Sequence, residues 1–181
     1  EGIEYHDFPT VEWTLYFKNN SATDTHILED IQPLDIRMER ADRGEFLLHH
    51  FVGSPCQLND YEPLATVLEP KATKRIAGAR GRATSSDMCY VNVESQAGDG
   101  LIIALGWPGQ WAADFTRDEA KSLHIRAGQE LTHFKLLPGE EVRTPLVALQ
   151  FWQGGDWIRA QNVWRRWMIT HNLPRPGGKQ L

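Results

Sequence analysis

The residues that could do chemistry in this chain are scattered. Hydrolysis of a glycosidic bond needs two carboxyl groups held about 5 to 9.5 Å apart. Acids occur throughout, in "EDIQPLD" and "DFTRDE" among other strings, but their spacing places no two of them together, and both strings read as solvated faces. A metal centre needs converging ligands, and the sequence holds no HExxH and no paired CxxC. Successive residues of a strand point to opposite faces, so the pair His49-His50 reads as one packed ring and one solvated ring. "VGSPC" lacks the glycine spacing of a nucleophile elbow, and Cys56 has only distant histidine partners. "GARGRATSS" carries Arg80 and Arg82 and could hold an anion, but no strand-to-helix turn follows it, so a solvated arginine loop fits better.

The aromatic residues give the stronger signal. Seven tryptophans in 181 residues is a high count for the rarest residue type. In "LIIALGWPGQWAADF" an apolar run ends at Gly106, and a Pro-Gly turn then carries Trp107 and Trp111. An indole exposed at such a turn offers an apolar face to the C–H side of a sugar and an N–H at its edge. The other reading folds both rings inward to plug the end of a core, and the sequence leaves the two readings open.

Around these residues most of the chain reads as strands. "VEWTLYFKN" alternates, with Val11, Trp13, Leu15 and Phe17 on one face. A less regular strand is expected from Ile27 past Pro33 to about Met38. "GEFLLHHFVG" follows, and then "EPLATVLEP", whose bracketing Pro63 and Pro70 suggest a short or edge position. "MCYVNVES" and "GLIIALG", joined through "QAGDG", predict a hairpin. "WAADFTRDEAKSLHIRAG" predicts two strands, and "LTHFKLLPGEEVRTPLVALQFW" closes the sheet region. From Asp156 the spacing changes to that of a helix, with Trp157, Ala160, Trp164, Trp167 and Met168 on one side. Asp156 is a suitable N-cap and Pro174 a stop. The division expected is a sheet region over 1–153, a terminal helix over 154–173 and a linker over 174–181.

Composition narrows the class. A formal charge of −5 gives no basic face for nucleic acid, and no apolar run reaches the ~20 residues of a membrane helix. No cofactor motif stands out. Cys56 and Cys89 fit no disulfide framework and read equally as two thiols. The first residue is Glu1, which implies a chain processed or cut from something longer. Compartment is not readable, although a secreted or periplasmic setting is favoured narrowly over the cytoplasm.

Taken in order, "FPTVEWTLYFKN", "ILEDIQPLD", "GRATSSDMCYVNVE", "LIIALGWPGQW" and "LLPGEEVRTPLVAL" resemble the N-terminal domain of bacterial α-galactosidases of glycoside hydrolase family 36. The resemblance extends to "VWRRWMITHNLPR", which is similar to the helix that leads into that family's catalytic barrel. It implies a mainly β fold: an antiparallel, galactose-mutarotase-like β-supersandwich with one C-terminal α-helix. It also implies a following (β/α)8 barrel that holds both catalytic aspartates of a retaining mechanism, so no catalytic residue is expected in this chain. The expected partners are that barrel, a galactoside-type carbohydrate and other copies in a homo-oligomer. By the same resemblance Trp107, Trp111 and Asp60 are candidate substrate-binding residues, and Arg82 is a structural loop residue. Asp60, in "QLNDYEPL", lies where members carry an acid followed by arginine; here Tyr61 follows. Two alternatives stay beside this reading: a free-standing carbohydrate-binding module built on the loop tryptophans, and an interaction domain whose tryptophan-rich helix docks on a partner.

Overall fold

A computed structural model of the chain describes residues 1–42, 44–95 and 97–179. Its strands in chain order are β1 (Gly2–Tyr5), β2 (Thr10–Trp13), β3 (Tyr16–Lys18), β4 (Leu28–Glu29), β5 (Leu34–Glu39), β6 (Phe46–Phe51), β7 (Pro63–Leu68), β8 (Thr73–Ala77), β9 (Tyr90–Ser95), β10 (Asp99–Gly106), β11 (Trp111–Arg117), β12 (Ser122–Gln129), β13 (His133–Phe134), β14 (Glu141–Arg143) and β15 (Leu146–Gln153). They form a seven-stranded antiparallel sheet, β1-β2-β15-β10-β9-β6-β7, and a four-stranded one, β5-β12-β11-β8. Two short ribbons, β13-β4 and β14-β3, stand beside them. The fold is thus mainly β, a sandwich with a single C-terminal helix, as expected.

Alternation explains how the sheets stack. Phe46 and Leu48 of β6, Val91 and Val93 of β9, and Leu101, Ile103 and Leu105 of β10 face Ile76, Ala113, Phe115, Leu123 and Ile125 of the smaller sheet. All of these are at most 4 % exposed. Strand β10 is apolar at nearly every position because both of its faces are covered. Its odd-numbered residues enter the sandwich core, and Ile102, 0 % exposed, lies on the other face.

That second face carries the helix α1 (Trp157–Trp167). Asp156 caps it as expected, its Oδ1 accepting from the Arg159 N–H at 2.8 Å. Trp157 stacks on His49 at 4.3 Å, Trp164 lies 5.4 Å from Tyr90, and Trp167 lies 5.4 Å from Tyr5. The helix continues through wider π-helical turns, Met168–Asn172, and ends before Pro174. Of the expected linker, Gln180 and Leu181 lie outside the described residues, as does Gln96 of the β9–β10 turn.

Three expectations need correction. "VEWTLYFKN" is not one strand: β2 belongs to the large sheet, and the chain then crosses to β14, with Leu15 held through its N–H to the Thr144 hydroxyl at 3.1 Å. The stretch from Ile27 to Met38 likewise divides into β4 in a ribbon and β5 in the small sheet. Pro33, with no N–H to give a ladder, lies at the break. Both rings of His49-His50 are buried, at 6 % and 2 % exposed, because α1 covers the face that would otherwise be solvated. The edge position of β7 matches the reading of its two prolines. Cys56 and Cys89 are separate thiols, and burial pushes that of Cys89 up. Among the described residues no helix is long and apolar enough to cross a membrane.

Candidate functional site

The residues singled out in sequence come together at one end of the sandwich, where β11 begins. Three connections meet there: Val52–Glu62 after β6, Gly78–Cys89 after β8, and the Trp107–Gln110 turn after β10. The first two are joined through main chain. The Gly53 N–H donates to Ser86 O at 2.7 Å and the Ser54 N–H to Thr84 O at 2.6 Å. A Cβ on Gly53 would lie 2.2 Å from Thr84 O, so only glycine permits this contact.

Asp60 braces the first connection. Its carboxylate accepts from the Gln57 N–H at 2.9 Å, the Ser54 hydroxyl at 2.9 Å and the Cys56 N–H at 3.1 Å. These donors, the Gln57 N–H foremost, hold the carboxyl below the usual aspartate range. Asp60 is therefore occupied within its own loop, while Leu58 stands exposed at the tip. Tyr61 is exposed nearer the base, where its N–H donates to Gly53 O at 3.3 Å. Cys56 and Tyr61 both take left-handed backbone, with φ of 68° and 65°, which marks a tightly wound loop.

Arg82 lies in the second connection, exposed, directly after Arg80 and Gly81 with φ of 56° and 72°. That connection rests on Trp111, whose Nε1–H donates to Ala83 O at 2.7 Å. Gln110 ties the turn to it, accepting from the Gly81 N–H at 3.0 Å and donating to Gly78 O at 2.6 Å.

The two tryptophans have different settings. Trp111 is 1 % exposed and belongs to the sandwich core, so in this packing its ring presents no face to a ligand. Trp107 is half-buried and borders a cleft of about 380 Å³. Phe17, Phe134, Val142 and Pro145 supply most of the cleft's apolar wall, with Gln129 and Thr132 at its polar side. The Arg143 guanidinium stands 5.5 Å from the Trp107 ring centroid, a distance at which cation and ring attract. Sequence reading missed this partnership. Arg143 and Phe17 are brought to Trp107 by the β14-β3 ribbon, a pairing of distant segments that no local pattern announces.

A second hollow, of about 410 Å³, adjoins the first through Gln129 and Thr132 on the outer face of the small sheet. Across its strands runs a row of alternating charge, Arg75, Asp114, Arg126 and Asp35. These groups neutralise one another: Arg75 pairs with Asp114 at 2.6 Å and with Glu130, and Arg126 with Asp30 at 2.7 Å. The hydrogen bonds that Arg75 donates to Asp114 and Glu130 push its pKa further up, so its charge is fixed. Among the described residues no group of three or more His, Cys, Asp or Glu side chains is placed to hold a metal ion.

A two-layer antiparallel sandwich with one trailing helix is a class of domain that solved structures share. The α-galactosidase from Lactobacillus brevis superposes with a TM-score of 0.72 at 15 % identity, over 90 % of this chain and 21 % of its own. The galactosidase domain of the α-galactosidase-sucrose kinase AgaSK gives 0.67 at 18 % identity, over 81 % of this chain and 20 % of its own. The family 36 α-galactosidase AgaA from Geobacillus stearothermophilus gives 0.66 at 15 % identity, over 83 % and 21 %. The chain thus spans about a fifth of the length of these enzymes. At such identities the likeness establishes a common fold. No family model and no curated protein matches the sequence.

Proposed function

We propose that this chain is a non-catalytic domain of an α-galactosidase-like glycoside hydrolase. The observation that carries the reading is the superposition on α-galactosidases over 90 % of this chain and only 21 % of theirs. In this reading residues 1–153 form the supersandwich, 154–173 the helix packed on it, and 174–181 the lead toward a (β/α)8 barrel that holds the reacting carboxylates. The barrel is the partner, and a galactoside its substrate. The Trp107 cleft faces the barrel and the rim of its sugar pocket. Trp111 and Arg82 act behind it by fixing the turn and its supporting connection. Asp60 fixes the loop that carries Leu58 and Tyr61 toward the same rim or toward a second copy in an oligomer. The described residues that line the cleft include no carboxylate, which agrees with this division of labour. Elsewhere at this end Asp60 is engaged in loop hydrogen bonds and Glu130 with Arg75.

The test is an assay of the purified chain on an aryl α-galactoside, with and without a longer product of the same reading frame. The longer product is expected to turn over and the 181-residue chain to be inert. Turnover by the chain alone would overturn the reading, as would a longer product without a barrel.

A further inference from the structure

We infer that the interface between α1 and the seven-stranded sheet is a binding site for ordered water. The registers of β2, β15, β10, β9 and β6 place Thr10, Gln150, Ile102, Asn92 and His49 in one row on the face beneath the helix. Gln150 and Asn92 are 0 % exposed, Thr10 is 1 %, and Trp167, above them on α1, is 2 %.

Each amide makes one bond that fixes its orientation. Gln150 Nε2 donates to Ala160 O of α1 at 3.1 Å, and Asn92 Oδ1 accepts from Trp152 Nε1 at 2.9 Å. Flipping either amide would set oxygen against oxygen or donor against donor. Four buried atoms are then left without a protein partner: Gln150 Oε1, Asn92 Nδ2, Thr10 Oγ1 and Trp167 Nε1. They comprise an acceptor, two donors and a hydroxyl that does both, which is the mixture water can join, since each molecule offers two donors and two acceptors. A buried polar group left unpaired is costly, and native interiors answer such groups with bound water.

Entry is at hand. A surface cleft of about 540 Å³ opens beside the row, lined by Gly100, Trp152, Ala160 and Val163. Gly100 matters here: a Cβ would lie 2.4 Å from the Trp152 ring, so glycine lets that ring lie flat and reach Asn92.

Two measurements on the 181-residue chain test this. In water-selective rotating-frame NMR, the Asn92 side-chain amide and the Trp167 indole N–H are expected to give cross-peaks to long-lived water. Thr10→Val, of the same shape without the hydroxyl, is expected to lower Tm because it removes a water ligand. A dry interface predicts the reverse, since valine would relieve an unpaired hydroxyl. Absence of water cross-peaks at both groups, or a raised Tm in Thr10→Val, overturns the assignment.

Discussion

Two arginines stand over aromatic rings at opposite ends of the sandwich, at almost the same distance: Arg117 at 5.4 Å from Phe46 and Arg143 at 5.5 Å from Trp107. Their surroundings differ completely. The Arg117 side chain is 0 % exposed and uses every N–H it has. Nη2 donates to Glu45 at 2.8 Å and Ala120 O at 3.2 Å, Nη1 to Ser122 O at 2.8 Å and Asp118 at 3.3 Å, and Nε to Leu68 O at 3.2 Å. Arg143 is exposed, and among the described residues it has no ion pair. The same cation-over-ring contact closes one end of the core and leaves the other open. A saturated buried cation is a structural bolt. An unpaired one beside an apolar cleft is free to meet something else.

Replacement of Arg117 should have the largest effect. Arg117→Ala takes a donor from three carbonyls, Asp118 and Glu45, the last of which keeps Arg40 at 3.3 Å. Removing one side of a buried charge network costs about 3–5 kcal/mol. Urea unfolding would measure it, and a loss below about 1 kcal/mol would mean that this end is not sealed by the arginine. At the open end Trp107→Ala removes a half-buried ring and should cost only about 1 kcal/mol in the same experiment. A cost as large as that of Arg117→Ala would make Trp107 a core residue and erase the contrast. The smallest effect is the coupling between Arg143 and Trp107, expected at about 0.5–1 kcal/mol in a double-mutant cycle. A coupling of zero would leave the guanidinium free of the ring.

What the sequence made legible follows the range of the interactions involved. Asp156 before an apolar helical stripe, and Pro63 and Pro70 around β7, act within a few residues, and both readings agree with the structure. The expected single strand over Val11–Asn19 failed because β2 and β3 take partners from different places, β15 and β14, and alternation alone does not reveal a change of partner. His49 read as one of a packed and solvated pair because its cover, Trp157, lies more than a hundred residues away. The turn with Trp107 and Trp111 stood out through its Gly-Pro-Gly setting. Which ring goes inward depends on Ala83 O accepting from one indole, a contact between loops rather than a pattern in either.

The brace at Asp60 has one more consequence. The connection after β6 takes its shape from a carboxylate near its end, and its outermost side chains hold nothing in place. Leu58 is fully exposed. Such a projection separates scaffold from message: residue 58 can be rewritten without disturbing the layers beneath, whereas loss of the aspartate would collapse the stalk while leaving its tip chemically intact.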